Sequence, residues 1–328
     1  MADDALMLFA LEASWPFAEA VGRALGVAPS AHEERDFEDG EHKARPLVNV
    51  RGRDVYVVQS LRGDAHRSVD DRLVRLLLFI GALRDASAAR VTAVIPYLAY
   101  ARKDRRSKPR DPVSTRYVAQ LFEAVGTDCV LTLDVHNLAA YQNAFRCRAE
   151  HLEANPLFVR HYAEKLGRDE VAVVAPDAGG VKRAEDFRRR LAAALGRPVG
   201  AAFVEKHRSD DAVSGDGFVG EVSGKVAIIV DDLVSGGTTL ARAAAACRAR
   251  GARRVCAAAT HAVFAVTAEA TLRASEIDEL VVTDTVPPAS AGDGGLGGRL
   301  VRIGVAPLFA EALRRLHGGG SIVELLGP

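Results

Sequence analysis

The sequence predicts an α/β protein with two parallel-sheet domains in tandem. Three observations carry that expectation. Short apolar runs such as Val91–Ile95 and Val226–Val230 alternate with segments of helical period, as in parallel strands joined by crossover helices. This rhythm occurs twice, on either side of a joint near Arg148–Ala154. Polar or glycine-rich loops follow several of the strands, at the edge where open α/β sheets bind ligands. With 328 residues, 48% apolar and 26% charged, the chain is long enough for two ordinary domains, each with a core. The expected boundaries are 1–152 and 153–328, with the last helix returning to the first domain.

In the first half, Leu6–Ala10 reads as a strand and Trp15–Leu25 as a helix, with Ser14 as cap and Pro16 in the first turn. Arg35–Glu41 is polar and acidic. Asp54–Gln59 is a strand. Asp70 and Asp71 cap a helix that puts Leu73, Leu76, Leu77, Ile80 and Leu83 on one side. Strand Val91–Pro96 follows, and Asp111-Pro112 opens a helix with Val113, Tyr117, Leu121 and Val125 inward. Val130–Leu133 is another strand, ending in Asp134-Val-His136.

The second half offers strands Val171–Ala175, Val199–Val204, Val226–Val230, Arg254–Ala259 and Glu279–Thr283. Its helices are Val181–Ala194, Thr238–Arg250, Val266–Ala274 and Pro307–Leu316. Lys206–Gly224 and Gly292–Gly298 read as loops.

Lysine plus arginine and aspartate plus glutamate balance at 43 each, so no global field favours nucleic acid or membrane. The four cysteines form no CxxC pair and are expected as reduced thiols. The N-terminus lacks the pattern of a signal peptide, and Leu73–Leu83, which carries Arg75, is too short to span a bilayer. A cytoplasmic protein is the expectation.

Four loops carry chemistry. Asp231 and Asp232 end an apolar strand and precede Ser235-Gly236-Gly237-Thr238-Thr239, whose backbone N–H groups and following helix can cradle a phosphate. The acids would accept hydrogen bonds from sugar hydroxyls. An ordinary capped turn is the plain alternative. Six of the nine residues from Arg102 to Arg110 are basic, and at a strand's carboxyl end Arg102 and Arg105 suit a polyphosphate. His136 follows the next strand beside Asp134 and could bind a metal or a nucleotide. Pro176-Asp177-Ala-Gly-Gly180 offers Asp177 as a Mg²⁺ ligand. Two GxGxxG matches, Gly215–Gly220 and Gly292–Gly297, lack the flanking strand and helix of a dinucleotide site and are rejected.

Taken together, these loops resemble the ribose-phosphate diphosphokinase family over nearly the whole chain. The resemblance rests on Phe37–Glu41, Asn49–Gly52, Ala93–Tyr97, Tyr100–Arg105, Val130–His136, Pro176–Gly180, Lys206–Arg208, Val230–Thr239 and Ala259–His261. It implies two phosphoribosyltransferase-like domains, Mg²⁺ dependence and a homo-oligomer built from dimers, a hexamer. The implied reaction transfers the diphosphoryl group of ATP to ribose 5-phosphate. By this resemblance Arg102, Lys103, Asp104, Arg105 and His136 bind ATP, with Phe37, Asp39 and Glu41 from a neighbouring subunit. Asp231, Asp232 and Ser235–Thr239 bind ribose 5-phosphate, His136 and Asp177 place the metal, and Lys206 and Arg208 are catalytic. The chain departs from the family pattern at Lys103, usually Gln, at His207, frequently Arg, and at Ser235, frequently Asp. Gly-Gly-Thr-Thr at 236–239 also replaces Thr-Gly-Gly-Thr, which changes the residue available for positive φ. Two rival readings are a phosphoribosyltransferase that consumes the diphosphate sugar and a non-catalytic regulatory homologue.

Overall fold

The computed structural model describes residues 6–205, 217–287 and 296–326. The chain divides into two compact units, one of residues 1–153, 285–287 and 304–328, the other of 154–284 and 288–303. The α/β architecture expected from the alternating pattern is present in both.

The first unit contains β1 (Met7–Ala10), α1 (Trp15–Leu25), β2 (His32–Asp36), β3 (His42–Pro46), β4 (Asp54–Val58) and α2 (Val69–Asp85). It continues with β5 (Arg90–Ile95), α3 (Ser114–Ala124), β6 (Cys129–Leu133), α4 (Leu138–Ala144) and β7 (Arg148–Leu152). Its sheet has the order β1-β4-β5-β6-β7 and every pair is parallel. Because the strands are covered on both faces, their side chains are buried almost without a break, which is why they read as continuous apolar runs.

Several local expectations change. Ser14 does not cap α1 through its side chain; its Oγ accepts from Ser60 N at 2.8 Å and ties two loops together. The cap of α2 is Ser68, in a capping box with Asp71, while Asp70 accepts a hydrogen bond from Tyr100. The acidic stretch around 35–41 is the turn of the antiparallel hairpin β2–β3. In α3 the inward row is Thr115, Val118, Ala119 and Phe122, whereas Tyr117 and Leu121 are 51% and 47% exposed. Two apolar rows run side by side on this helix, and the one holding Phe122 is the one that meets the core, with Phe145 as a neighbour at 6.4 Å.

The second unit contains α5 (Asn155–Leu166), β8 (Val171–Ala175), α6 (Val181–Leu195), β9 (Gly200–Glu205), β10 (Gly217–Gly220) and β11 (Val226–Val234). It ends with α7 (Thr238–Ala249), β12 (Arg254–Ala262), α8 (Ala268–Arg273), β13 (Glu279–Thr283) and β14 (Leu300–Ile303). Its sheet order is β10-β9-β8-β11-β12-β13-β14, parallel except for β10. β8 is the first strand of this sheet, and the chain passes to β9 on one side before returning to β11 on the other. The carboxyl ends of β8 and β11 therefore flank a topological switch point, where ligands bind in such sheets. Gly217–Gly220, within the first GxGxxG match, is a strand, so no dinucleotide turn forms there.

The last helix, α9 (Ala306–Gly318), packs on α1 in the first unit, with Phe17 and Phe309 edge to face at 5.4 Å. Its end is clamped by Asp54. That carboxylate receives His317 Nδ1 at 2.8 Å, Tyr56 OH at 2.9 Å and Arg90 Nε at 2.7 Å, and Arg90 Nη2 also donates to Leu316 O at 3.3 Å. Burial alone would raise the Asp54 pKa, but the hydrogen bonds from Arg90, His317 and Tyr56 outweigh it and hold the carboxyl below its ordinary value.

A depressed carboxyl pKa contributes stability above the ordinary carboxylate range and loses it as pH falls through the folded value. Arg90→Met should therefore cost about 2 kcal/mol at neutral pH by leaving a half-buried carboxylate without its guanidinium, with only His317 and Tyr56 still donating to it. In urea unfolding, that deficit should shrink once Asp54 is protonated on the acid side. A deficit independent of pH would show that Arg90 acts through packing alone.

Candidate active site

The acids at 231 and 232 belong to β11 itself, which continues past the apolar run to Val234, with Asp231 paired to Ala259 and Leu233 to His261 of β12. Asp232 is buried and Asp231 half-buried; Asp232 N donates to Asp231 Oδ1 at 2.9 Å. Past the strand, Ser235 O accepts from Ala265 N at 3.2 Å. Gly237 takes a left-handed φ of +81° as the residue before α7, and a Cβ there would lie 2.9 Å from Leu272 Cγ. The positive φ therefore falls on a glycine despite the rearranged loop. No side chain caps the start of α7. The plain alternative of a capped turn is thereby disfavoured, and the free N–H groups of the first turn, with the helix dipole, are available to an anion.

Arg183 is a site residue that the sequence reading did not single out. It sits in the first turns of α6, and its Nη1 lies 3.6 Å from Asp231 Oδ1 and 3.4 Å from Asp232 Oδ1. The available signal was its place six residues after Asp177, in the helix that leaves the same sheet edge. Desolvation and the adjacent Asp232 charge raise the Asp231 pKa well above the ordinary carboxylate range, and Arg183 opposes them. The pair is a poised acidic site, able to accept hydroxyl donors or a cation. Asp177, after β8, accepts from Gly179 N at 2.9 Å and Gly180 N at 3.2 Å, both on Oδ1.

In the first unit, β5 and β6 are neighbours, so the loops after them lie side by side. Asn137 Nδ2 donates to Asp104 Oδ2 at 2.6 Å and joins the two. Thr115 Oγ1 donates to Tyr100 O at 2.9 Å and Lys103 O at 3.3 Å, fixing the base of the basic loop. Asp111 Oδ2 accepts from Ser107 N and Lys108 N. Tyr100 and Asp134 adopt positive φ, 63° and 40°, at the starts of these two loops. Such backbone strain in non-glycine residues clusters at binding sites. Arg102, Lys103 and Arg105 are exposed, with Lys103 Nζ 3.7 Å from Asp111 Oδ2, and His136 is exposed on the neighbouring loop. The structure thus gathers Arg102, Lys103, Asp104, Arg105 and His136 on one sheet edge.

Phe37, Asp39 and Glu41 form the exposed tip of the β2–β3 hairpin. Glu41 N donates to Asp39 Oδ1 at 3.1 Å, and the Arg35 guanidinium lies 5.0 Å from the Phe37 ring centroid. The hairpin is anchored to α2 through Asp36, which receives Arg67 and Arg75. Lys206 and Arg208 lie outside the described residues. Among the described residues no three or more His, Cys, Asp or Glu side chains form a metal cage.

The acid pair yields a prediction with a definite sign. A carboxyl whose pKa is raised in the fold contributes stability below its ordinary pKa that is lost as pH rises through the folded value. Asp231→Asn should therefore stabilise the protein by about 1 kcal/mol on the alkaline side, less in acid. Arg183→Met should do the opposite. Urea midpoints across pH would check both signs; two variants shifting the same way would contradict the coupling.

Residues 6–126 match the N-terminal domain of ribose phosphate pyrophosphokinase, and residues 215–327 match the phosphoribosyl synthetase-associated domain. A ribose-phosphate pyrophosphokinase of Hyphomonas neptunium is 37% identical over 322 residues, covering 98% of this chain and 99% of the relative. One from Caldanaerobacter subterraneus is 38% identical, covering 98% of each chain. The crystal structure of phosphoribosylpyrophosphate synthetase from Mycobacterium smegmatis superposes with a TM-score of 0.87 at 35% identity, covering 96% of this chain and 99% of that one. The chain belongs to the ribose-phosphate pyrophosphokinase family.

Proposed function

We propose that the protein transfers the β,γ-diphosphoryl group of ATP to O1 of ribose 5-phosphate, giving 5-phosphoribosyl 1-diphosphate and AMP. The observation that carries this reading is the β11–α7 junction, where two adjacent acids run into an uncapped helix start in a chain related along its whole length to ribose-phosphate pyrophosphokinases. A phosphate suits the helix end and hydroxyls suit the acids.

In this reading Ser235–Thr239 hold the 5-phosphate, and Asp231 and Asp232 accept hydrogen bonds from ribose hydroxyls. These bonds orient O1 for attack on the β-phosphorus. The O1–Pβ bond forms and the bond from Pβ to the α,β-bridging oxygen breaks. That oxygen leaves on AMP, and the O1 proton passes to solvent. Such a transfer depends on positioning and charge neutralisation. Arg102, Lys103 and Arg105 hold the triphosphate, while Asp104 and His136 complete the nucleotide site. The exposed tip with Phe37, Asp39 and Glu41 serves the nucleotide site of a neighbouring copy in a dimer-based homo-oligomer, a hexamer. Lys206 and Arg208 neutralise the diphosphoryl group in the transition state.

Mg²⁺ neutralises phosphate oxygens when bound with ATP. It asks for oxygen donors and keeps most of its waters, so one or two protein ligands suffice. Asp177 fits, since both of its described hydrogen bonds fall on Oδ1; His136, a nitrogen donor, departs from this preference and is named as second ligand on the family resemblance alone. The reaction belongs in the cytoplasm, where nucleotide synthesis draws on ATP.

The test is AMP formation from Mg-ATP with and without ribose 5-phosphate. Stoichiometric AMP and phosphoribosyl diphosphate are expected; AMP at background would refute the reading, and product made only from phosphoribosyl diphosphate and a free base would indicate a transferase. Lys206→Ala should lower kcat by about 100-fold or more with little change in KM, because its contact forms mainly in the transition state. Arg102→Ala should raise KM for ATP by about 10-fold and leave that for the sugar phosphate nearly unchanged. The reverse split in steady-state kinetics would reassign either residue.

A further inference from the structure

One arginine of α7 has no role in the reading above. Nε and Nη2 of Arg242 are shielded from solvent and meet no hydrogen-bond partner among the described residues. An arginine cannot shed its charge, and a guanidinium buried without an anion is costly. Such a group is expected where an anion arrives from outside the chain.

Its place on the helix indicates which anion. Thr238, Arg242, Ala246 and Arg250 succeed one another at i+4 and form one row along α7, with Thr239 three residues before Arg242. The two ends of the row, Thr238 and Arg250, are exposed, and Arg242 between them is half-buried with two of its nitrogens shielded. Ala246 is buried, and at the row's far end the Arg250 guanidinium lies 4.6 Å from the Phe218 ring centroid, with Nη1 donating to Phe218 O at 3.2 Å. Arg242 stands on the same row one turn from the phosphate loop. Helical side chains lean toward the helix N-terminus, which carries its guanidinium toward the uncapped first turn. The acids of this site are engaged by Arg183. Gly236 brings no side-chain donor to the loop, and space for a Cβ there is open but for Thr267 Oγ1 at 3.8 Å.

We propose that Arg242 is an additional substrate-binding residue whose Nε and Nη2 take two oxygens of the phosphomonoester held by Ser235–Thr239. The fork geometry of these two donors matches adjacent phosphate oxygens. The proposal rests on reading that loop as the sugar-phosphate cup.

The full-length protein and its Arg242→Leu and Arg242→Lys variants separate the possibilities, with inorganic phosphate as binding probe and steady-state kinetics beside it. In Arg242→Leu the thermal midpoint without ligand should stay level or rise, since a half-buried charge with no partner among the described residues is removed. The midpoint gain on adding phosphate should largely disappear, and KM for ribose 5-phosphate should rise by about 10- to 100-fold with KM for ATP unmoved. Arg242→Lys should recover part of both. A lowered midpoint in Arg242→Leu, with the phosphate response and KM retained, would make Arg242 structural and overturn the proposal while the synthase reading stands. A wild-type protein that forms no product, yet loses its phosphate response in Arg242→Leu, would refute the synthase reading and leave the anion site in place.

Discussion

The second unit is arranged around two like charges at successive positions of one strand. Asp231 and Asp232 lie near the end of β11, in contact through the bond from Asp232 N to Asp231 Oδ1, with desolvation and mutual repulsion working against the ionised form. Arg183 offsets that repulsion from α6. This arrangement requires α6 and β11 to meet, which follows from a sheet whose chain leaves β8 for β9 and returns to β11 on the other side. The switch point brings the Asp177 turn, Arg183, the acids and the open start of α7 to one edge. The adjacent charges make the unit less stable by themselves, a trade expected where a site is kept ready for a ligand.

The first unit meets a different problem with the same geometry. Its sheet progresses in one direction from β1 through β7, so the loops after β5 and β6 are neighbours and share the Asn137–Asp104 hydrogen bond. The first turns of α2 and the residue before its Ser68 cap support both this edge and the hairpin: Asp70 receives Tyr100, and Asp36 receives Arg75 of the helix and Arg67 before it. Basic side chains are held exposed while their backbone is fixed from behind. An anion can then be met without the cost of ordering the loop.

Much of this was legible because parallel strands covered on both faces leave unbroken apolar runs, and the loops that follow them carry the chemistry. The acids, the glycine loop and the basic loop announced themselves by residue type. The elements left unread are helices α4 and α5, although α5 has Pro156 in its first turn and buries Phe158, Val159, Tyr162 and Leu166, and several strands whose signal is local and weak. β2 and β3 are charged on an exposed hairpin, β7 is a polar edge strand, and β14 is short. The row reading of α3 chose Tyr117 over Phe122 because both rows are apolar, and only the neighbouring Phe145 decides between them. Arg183 and Arg242 escaped notice because an arginine in a helix is ordinary; what sets them apart is partnership, one with two acids and the other with none among the described residues.

The most direct measurement of the central claim follows the oxygen at C1 of the sugar. Ribose 5-phosphate carrying ¹⁸O at O1 would be incubated with Mg-ATP and the protein, and the products read by ³¹P NMR. Attack by O1 on the β-phosphorus predicts an isotope shift on the sugar-proximal phosphorus of the diphosphate, with AMP unlabelled. Label remaining on free ribose 5-phosphate while ATP is converted to ADP or phosphate would contradict the account.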